Sequence, residues 1–526
     1  MSENHHDAYE NMTDKQKNRT IWSVITASSL GTLIEWYDFY IFGSLAIVLA
    51  TKFFPSDNPT AAFLSTLATF AAGFVVRPFG ALFFGRLGDL IGRKYTFLVT
   101  LLIMGFSTFL IGCIPSYETI GFMAPVLVLI LRLLQGLALG GEYGGAATYV
   151  AEYAQPHRRG YWTSWIQTTA TAGLFISLIV ILITKSTLST EEFDNWGWRV
   201  PFWISILMVG VSYIIRKNMK ESPLFAKAKS EGKTSKNPLK ESFGNKFNFK
   251  FVLLALFGAA MGQGVIWYTG QFYAMSFLQK VMNVESAQVD KLMALALLFG
   301  TPFFVFFGWL SDKIGRKAVM MTGMLVAILA YRPIYDKMFN SIDLKSKTVA
   351  ESGIVEKRTA KIHDKIATDS LITFHKETLF TDGTLAKKDS IVHWSPTGPV
   401  IKDGKAEEPK VSQAITINGR TNWLLISLVF IQVIFVTMVY GPIAAFLVEM
   451  FPIRIRYTSM SLPYHIGNGV FGGLLPAVAT YLVTTAKEAK HATWYLEGLW
   501  YPIGVAAVCL LIGLFYLKNK NNNIHD

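Results

Sequence analysis

Long apolar runs separated by short polar links dominate the chain. Each run is about as long as the roughly 20 helical residues that cross a hydrocarbon core of about 30 Å. Because a backbone inside lipid must satisfy its own hydrogen bonds, runs of this length predict transmembrane helices. The pattern predicts twelve spans, numbered here 1 to 12, at residues 20–50, 60–90, 95–114, 121–154, 160–184, 199–216, 250–279, 289–312, 317–340, 421–449, 457–485 and 494–517.

The basic residues of the links predict the orientation of the chain. Lys and Arg concentrate in alternate links, whereas the link at 115–120 has neither and the link at 51–59 has only Lys52. Links rich in Lys and Arg remain on the cytoplasmic side, so we expect both termini in the cytoplasm. The basic positions are Arg86, Arg93 and Lys94; His157, Arg158 and Arg159; Lys313, Arg316 and Lys317; Arg454 and Arg456; and Lys15, Lys17, Arg19, Lys518 and Lys520 near the termini.

The two halves of the chain carry copies of one loop. Residues 85–94, which read Gly-Arg-Leu-Gly-Asp-Leu-Ile-Gly-Arg-Lys, recur at residues 308–317 as Gly-Trp-Leu-Ser-Asp-Lys-Ile-Gly-Arg-Lys. A looser pair of segments starts at Glu152 and Glu449. The two offsets are 223 and 297 residues, so the second half holds about 74 additional residues between Lys317 and Glu449. Such a duplication predicts two homologous bundles with a substrate site between them at the middle of the membrane.

A polar segment at 341–420 accounts for the additional residues. Alternating stretches at 371–374 and 390–393, with turn signals at Asp382-Gly383 and Asp403-Gly404, indicate strands. The pattern is compatible with two alternatives for this segment, a small β-rich cap or a flexible loop. Because the segment connects spans 9 and 10, we expect it on the extracytoplasmic side.

The predicted fold class is therefore an all-α membrane protein of twelve transmembrane helices in two six-helix pseudo-symmetric bundles, with this insertion in the second. The expected units are a cytoplasmic tail at 1–19, an N-terminal bundle at 20–216, a cytoplasmic linker at 217–249, a C-terminal bundle at 250–517 interrupted by the insertion at 341–420, and a second tail at 518–526.

Composition agrees with this class and excludes others. Hydrophobic residues make up 52% of the chain and charged residues only 16%, whereas soluble proteins carry about 25% charged residues. The net charge of +13 lies in the links, which is typical of topology signals and not of a face that binds nucleic acid. The polar residues 1–19 do not resemble a cleavable signal peptide.

Motifs for catalysis, cofactors and metals are not found. The chain has no phosphate-binding Walker loop, no nucleophile elbow and no zinc motif, so we expect neither an enzyme nor a cofactor. The insertion's His363, His375 and His393 are too irregularly spaced for a metal site. Cys113 and Cys509 lie in apolar runs and are interpreted as packing residues.

Charged residues inside the spans are the main candidates for functional residues. Glu35 and Asp38 lie three residues apart, on one face of span 1, and charges at this depth usually face an aqueous cavity. We predict that one of them carries a proton and that the other pairs with a base; the alternative is that both are structural. Arg77 and Arg132 are the counter-charges, and a guanidinium can hold a carboxylate through two parallel hydrogen bonds. Permanent neutralisation of the acids is the alternative for both arginines.

Polar and aromatic residues in other spans are candidate substrate contacts. In span 4, Glu142 and Tyr143 lie in a glycine-rich stretch that equally indicates close helix packing. Aromatic side chains suit a quaternary ammonium group, although packing is the alternative at each position. The candidates in the second half are Gln263, Trp267, Tyr268, Gln271 and Tyr273 in span 7, and Tyr440, Tyr464, His465 and Asn468 in spans 10 and 11.

Several of these segments resemble a known family. The duplicated loop resembles the loop motif of the major facilitator superfamily, and residues 132–141 resemble its Arg-x-x-Gln-Gly motif, which adds Gln135 to the candidate substrate contacts. More narrowly, the chain resembles the metabolite:proton symporter family, whose members carry organic acids, shikimate, or proline and betaine. The segments that carry this resemblance are Glu35-Trp-Tyr-Asp-Phe-Tyr40, Arg77-Pro-Phe-Gly80, Gly140-Gly-Glu-Tyr-Gly-Gly145 and Trp198-Arg-Val-Pro-Phe202.

The resemblance implies the major facilitator fold and a conformational latch built from the two loops. Two features depart from the family pattern: the insertion, and the polar, glycine-rich stretch at 461–469 of span 11. The substrate of this chain therefore cannot be inferred from the substrate of any one family member. Span 5 has Gly173 but no proline, which argues against drug export. The latch residues are Gly85, Asp89, Arg93 and Lys94 in the first loop, and Gly308, Asp312, Arg316 and Lys317 in the second.

We therefore expect a monomeric symporter of the bacterial inner membrane that imports a small carboxylate or zwitterion with protons. Its partners would be the solute, protons and the lipid bilayer. A proton-independent uniporter or exchanger of the same fold is one alternative. A membrane receptor that senses a solute through the insertion is another.

Overall fold

The structure is a computed structural model that describes residues 12–54, 65–66, 68–69, 72–217, 220–363, 366–396, 398–402, 405–406 and 409–517. Within these residues, ten helical segments are long and apolar enough to cross a membrane. They correspond to the predicted spans 3 to 12. Span 1 is helical as well, over Asp14–Ser44 and Ala46–Phe53. Part of span 2, the tail residues Lys518 and Lys520, and the Asp403-Gly404 turn lie outside the described residues.

The first half contains the helices of spans 1 to 6. Three buried hydrophobic clusters hold these helices together, and Trp198 and Tyr37 are among their largest fully buried side chains. Spans 2 and 4 pack with their backbones in contact: a Cβ atom at Gly140 would lie 2.2 Å from the Arg77 carbonyl oxygen. The helices after span 1 are Arg77–Leu90, Arg93–Ile111, Tyr117–Ile120, Met123–Tyr153, Arg159–Ser164, Thr169–Thr187, Thr190–Asn195 and Val200–Lys217, followed by Pro223–Ser230 in the linker.

The second half contains the helices of spans 7 to 12 around the largest hydrophobic cluster. Spans 7 and 11 contain wider, π-helical turns, which occur often at functional sites. The α-helices are Lys246–Ala255, Met261–Tyr268 and Ala274–Ser276 in span 7, Ser286–Ile314, Arg316–Asn340, Gly419–Tyr440, Ile443–Glu449, Arg456–Ile466, Leu475–Glu488 and Trp500–Tyr516.

The insertion forms an antiparallel sheet, which confirms the β-rich prediction over the flexible loop. The strands are β1 (Val349–His363), β2 (Ile366–Phe380), β3 (Leu385–Ser395), β4 (Gly398–Pro399) and β7 (Lys410–Thr416), in the order β1-β2-β3 with β4 and β7 both paired to β3. Two short strands, β5 (Ile401–Lys402) and β6 (Lys405–Ala406), pair with each other.

The base of the sheet is fixed to the helical bundle. Ile415 in β7 accepts a hydrogen bond from Glu285 N at 3.0 Å and donates one to Asn283 O at 2.7 Å. The predicted turn between β2 and β3 is present, with Gly383 at a φ of +84°. Although its partial burial opposes ionisation, hydrogen bonds from Lys347 and Thr384 lower the pKa of Asp382 in this turn to about 2.

Candidate substrate site and interdomain latch

A cavity lies between the two halves of the molecule. Residues of spans 1, 2, 4 and 5 form one side, and residues of spans 7, 10 and 11 form the other. Its lining is Thr32, Glu35, Trp36, Phe74, Arg77, Tyr143, Ile166, Gln167 and Thr169 from the first half, and Trp267, Tyr268, Tyr440, Tyr464, His465, Asn468 and Gly469 from the second.

Aromatic side chains form much of the cavity wall. The rings of Tyr143 and Tyr464 stack across the two halves with centroids 3.8 Å apart and planes 8° apart. The hydroxyl groups of Tyr440 and Tyr464 lie 2.6 Å apart. Trp36 and Trp267 also approach each other across the halves, at 5.1 Å between centroids. The wall can therefore pack against an apolar or cationic group.

Glu35 and Arg77 form an ion pair on the cavity wall. Arg77 Nη1 donates to Glu35 Oε1 at 3.1 Å, and 16% and 12% of the two side chains, respectively, remain exposed. The Arg77 guanidinium also packs over the ring of Phe74, with 4.2 Å to the centroid. Its Nε atom has no hydrogen-bond partner in the described part of the chain. The guanidinium therefore retains capacity to donate to another acceptor.

Asp38 belongs to a separate, more deeply buried network. Arg132 Nη1 donates to Asp38 Oδ2 at 2.7 Å and to Gln135 Oε1 at 2.7 Å. Gln135 Nε2 in turn donates to Asp38 Oδ1 at 3.1 Å and to Thr108 Oγ1 at 2.7 Å. Asp38, Arg132 and Gln135 border a small cavity, which shares Glu35, Phe74 and Arg77 with the main one. The network satisfies Asp38 from two sides, so its charge is already neutralised.

Glu142 is predicted to line the substrate path, but the structure places it elsewhere. Its carboxylate accepts from Arg216 Nη2 at 2.6 Å and from Thr100 Oγ1 at 2.8 Å, and both members of the ion pair are only 1% exposed. Gln271 is buried in span 7 and does not line the described cavity. The contacts of Glu142 with spans 3 and 6 direct its side chain into the interior of the first half instead of the cavity.

Two polar groups on the second-half wall lack partners. Trp267 Nε1 and His465 Nε2 are buried and make no hydrogen bond among the residues that the structure describes. By contrast, Asn468 of the wall exchanges two hydrogen bonds, at 3.2 and 3.0 Å, with Gln263, a predicted substrate contact that does not line the described cavity. A buried polar group without a partner is costly, so Trp267 and His465 are suited to bind a ligand.

The aspartates of the duplicated loops join the halves opposite to the insertion. Asp89 accepts hydrogen bonds from the backbone N–H groups of Tyr457 at 3.3 Å and Thr458 at 2.8 Å, where the first helix of span 11 begins. In the second loop, Asp312 accepts from Gly160 N at 2.9 Å and Tyr161 N at 2.8 Å, at the start of span 5. Each carboxylate thus stabilises the N-terminal end of a helix in the other half.

The arginines of the loops extend these contacts. Arg93 pairs with Asp89 at 3.1 Å, and Arg316 pairs with Asp312 at 2.7 Å. Glu152 lies 3.4 Å from Arg93 and 3.3 Å from Arg456 of the other half. Glu449 is the second-half counterpart: it lies 3.1 Å from Arg316 and 4.0 Å from Arg159 of the first half. The duplicated segments therefore form two equivalent ionic networks between the halves.

The remaining latch residues have different partners. Gly85 and Gly308 permit close packing, because a Cβ atom would lie 2.9 Å from Thr458 Cα at the first and 2.4 Å from Ser164 Oγ at the second. Lys94 and Lys317 do not cross between halves. Their Nζ atoms donate to backbone carbonyls at the ends of spans 6 and 12, Lys217 O at 3.0 Å and Leu517 O at 2.6 Å.

The linker also contacts the latch. Glu221 accepts from Arg93 N at 3.2 Å, and Ser222 Oγ donates to Glu152. Burial raises the pKa of Glu221. Tyr149 and Tyr153 donate to the linker backbone. The linker thus packs against the ionic network of the first loop.

Some residues of the site are not predicted from the sequence. Arg216 lies at the end of span 6, and the sequence gives no sign that it is the partner of Glu142. Gln167 Nε2 donates to Tyr143 OH at 2.8 Å on the cavity wall. A search for polar residues inside span 5 would have found Gln167 and Thr169. Trp36 and Phe74 had no distinguishing signal, because aromatic residues are common throughout the spans.

Comparisons with known proteins agree with this architecture. Residues 23–246 match the family model described as sugar (and other) transporter. The alpha-ketoglutarate permease of Escherichia coli strain K12 is 29% identical over 515 residues, which cover 98% of each chain. The inner membrane metabolite transport protein YhjE of the same strain is 37% identical over 325 residues, which are 59% of this chain and 72% of YhjE.

A further relative and a solved structure extend the similarity. The proline/betaine transporter of Salmonella typhimurium is 27% identical over 94% of this chain and 83% of its own length. The structure of the proton:xylose symporter XylE, solved with 6-bromo-6-deoxy-D-glucose, superposes with a TM-score of 0.61 over 95% of both chains, at 16% identity. At this identity the likeness shows the fold alone.

The structure consists of two bundles with a cavity between them, on a fold shared with XylE. The sequence similarity to YhjE and to the alpha-ketoglutarate permease, together with the matching family model, defines a multi-pass membrane transporter of the major facilitator type. Within that superfamily, the chain belongs to the metabolite:proton symporter family.

Proposed function

We propose that the protein imports a small carboxylate or zwitterionic metabolite together with protons by alternating access. The Glu35–Arg77 ion pair on the wall of the interdomain cavity carries this proposal. Among the residues that line the described cavity, these two are the only carboxylate and the only guanidinium. The relatives that are named for 2-oxoglutarate, proline and betaine support a carboxylate-bearing solute.

Proton and substrate are coupled through competition for Arg77. When Glu35 is ionised it occupies the guanidinium and the cavity is neutral. When Glu35 takes up a proton, the Arg77 charge is uncompensated, and a substrate carboxylate can replace the lost partner with a bidentate hydrogen-bonded pair. Release of the proton on the other side of the membrane restores the Glu35–Arg77 pair and expels the carboxylate.

Asp38 and Arg132 have a structural role in this proposal. The Asp38 carboxylate is held by Arg132 and Gln135 and is 4% exposed, so substrate does not need to approach it. Glu35 is therefore the proton carrier of the pair of acids in span 1. The Asp38 network fixes the position of span 1 against span 4, and with it the position of Glu35.

The second half supplies the remaining substrate contacts. Trp267, Tyr440, Tyr464 and His465 face Arg77 across the cavity. The unpartnered Trp267 N–H and His465 Nε2 would hydrogen-bond the polar part of the solute, and the tyrosine stack would cover its apolar or ammonium part. Since the cavity lies within one chain, a monomer is sufficient for transport.

The latch and the charge distribution set the direction of access. We place both termini, the linker and the latch in the cytoplasm of a bacterium, and the β-sheet insertion outside its inner membrane, because the basic links lie on the latch side. With the latch contacts formed, as in this structure, the cavity is closed toward the cytoplasm. Opening toward the cytoplasm would break the Asp89 and Asp312 contacts between the halves.

Counterflow in proteoliposomes tests substrate and site together. Vesicles loaded with unlabelled 2-oxoglutarate, citrate, shikimate, proline or betaine would be diluted into the labelled compound. We expect exchange with one of these solutes, and we expect Arg77→Gln to abolish it. The Arg86→Gln variant is the matched control, since Arg86 is exposed outside the cavity. Retained exchange by Arg77→Gln would overturn the assigned carboxylate site.

A further inference from the structure

A second cavity, of about 500 Å³, lies beside the latch where spans 1, 5 and 8 end. This volume falls in the range of about 300–1,000 Å³ found for small-molecule sites. Residues of both halves line it. They are Asn18, Trp22, His157, Arg158, Tyr161 and Trp162 from the first half, and Trp309, Asp312 and Lys313 from the second.

The cavity has an excess of positive charge. Arg158 and Lys313 are exposed and have no ion-pair partner in the described part of the chain. Asp312 is the single carboxylate among the described lining residues, and it is already neutralised by Arg316 at 2.7 Å and by two backbone N–H groups. Among the described residues, an anion that enters the cavity therefore meets two available cations and no available acid.

The aromatic lining adds a second property. Trp22 and Trp309 are 41% and 45% exposed, respectively, at the ends of their spans, where tryptophans usually lie at the boundary between acyl chains and headgroups. Trp162 is 4% exposed, and its Nε1–H has no partner among the described residues. Trp22 packs edge-on against Trp162 with centroids 5.6 Å apart. The cavity thus combines an apolar mouth with a buried, unused hydrogen-bond donor.

We propose that this cavity binds the headgroup of an anionic phospholipid. The phosphate accepts hydrogen bonds from Arg158, Lys313 and Trp162, and the acyl chains leave past Trp22 and Trp309 into the bilayer. A soluble phosphate ester would use the same cations but not the two exposed tryptophans. Because Arg158 belongs to the first half and Lys313 to the second, a bound lipid contacts both halves and favours the closed latch. The site is independent of the transported solute.

Quenching of tryptophan fluorescence by brominated lipid tests the proposal on the full chain. Protein in phosphatidylcholine vesicles would be prepared with increasing fractions of brominated phosphatidylglycerol and, separately, of brominated phosphatidylcholine. We expect the wild type to prefer phosphatidylglycerol at least fivefold. The double variant Arg158→Gln/Lys313→Gln should lose that preference. The double variant Arg86→Gln/Lys229→Gln, which removes two exposed cations outside the cavity, should retain it.

Three results would overturn the proposal. One is equal quenching of the wild type by both lipids. Another is an equal loss of preference in the two double variants, which would indicate a general effect of surface charge. The third is displacement of the lipid by millimolar glycerol phosphate, which would assign the cavity to a soluble ester. If the double variant Arg158→Gln/Lys313→Gln does not fold, Trp162→Phe serves in its place, because it keeps an aromatic ring and removes the N–H donor. This variant should weaken phosphatidylglycerol binding two- to fivefold. Unchanged binding would contradict the proposal.

Discussion

At the scale of single residues, charge neutrality inside the cavity is the physical basis of the proposed coupling between proton and solute. Burying an unpaired charge away from water is costly, and such a charge is retained only with a partner. Among the described residues of the cavity wall, Arg77 has one ion-pair partner, Glu35. A proton on Glu35 therefore creates a requirement for one carboxylate from the solute. A cavity in which Glu35 is protonated but no solute is bound is unfavourable. A cavity in which Glu35 is ionised while solute is bound is unfavourable too. Proton and solute must therefore cross together, which defines symport.

Glu35→Gln should uncouple transport. The amide mimics the protonated acid permanently, so the variant should bind and exchange solute but accumulate none against a gradient. Counterflow and gradient-driven uptake in the same vesicles separate the two activities. Asp38→Asn is the matched comparison: because Asp38 is buried with Arg132, it should lower the thermal stability of the purified protein. Gradient-driven accumulation by Glu35→Gln would refute the assignment.

Arg77→Lys should raise the KM for solute. A lysine keeps the positive charge but cannot form two parallel hydrogen bonds with a carboxylate. The loss of one charge-assisted hydrogen bond, about 1.5–3 kcal/mol, corresponds to a KM about 10- to 150-fold higher. Initial rates of uptake over a range of solute concentrations measure this change. A KM within twofold of the wild type would mean that Arg77 does not contact the solute.

At the scale of elements, the helix starts at 159–161 and 456–458 are where the halves are joined. Each is capped by an aspartate from the opposite half rather than by a residue of its own chain segment. Cap and helix separate when the halves move apart, so the start of each helix reports the state of the latch.

Asp89→Asn and Asp312→Asn should loosen different helix starts. Hydrogen–deuterium exchange at residues 456–458 should accelerate about tenfold in Asp89→Asn, the effect expected from weakening one charged hydrogen bond. Exchange at residues 160–161 should change little in that variant. The pattern should reverse in Asp312→Asn, so each variant is the control for the other. Equal acceleration at both sites in both variants would indicate general destabilisation instead of two local latch contacts.

The β-sheet insertion is expected to be dispensable for transport. The described residues of the main cavity belong to the helical bundles, and the insertion meets them at the base of the sheet. Residues 349–413 can be replaced by six Gly or Ser residues, since β1 and β7 are three strand spacings, about 14 Å, apart. Uptake should stay within twofold of the wild type. Loss of uptake by a folded deletion variant would favour a receptor-like or gating role for the insertion.

At the scale of the whole molecule, the sequence predicted the spans well because length and hydropathy decide which segments cross a membrane. The duplicated loops predicted the two halves, and the structure joins those loops in equivalent networks. Pairing between distant charges could not be predicted. Glu142 and Arg216 are 74 positions apart, and their contact depends on how spans 4 and 6 rotate against each other. Likewise, Glu35 and Asp38 share a helix face but have different arginine partners.

In the proposed mechanism the two halves move around one cavity, and the latch on one side opens only when solute and proton are both bound or both absent. Uptake of a labelled panel of carboxylates and zwitterions into proteoliposomes, with and without an inward proton gradient, tests this account most directly. We predict uphill accumulation of one solute in wild-type vesicles and its abolition by a protonophore. Flux that only equilibrates the solute, regardless of the gradient, would contradict proton coupling and leave the Glu35–Arg77 pair as a structural contact.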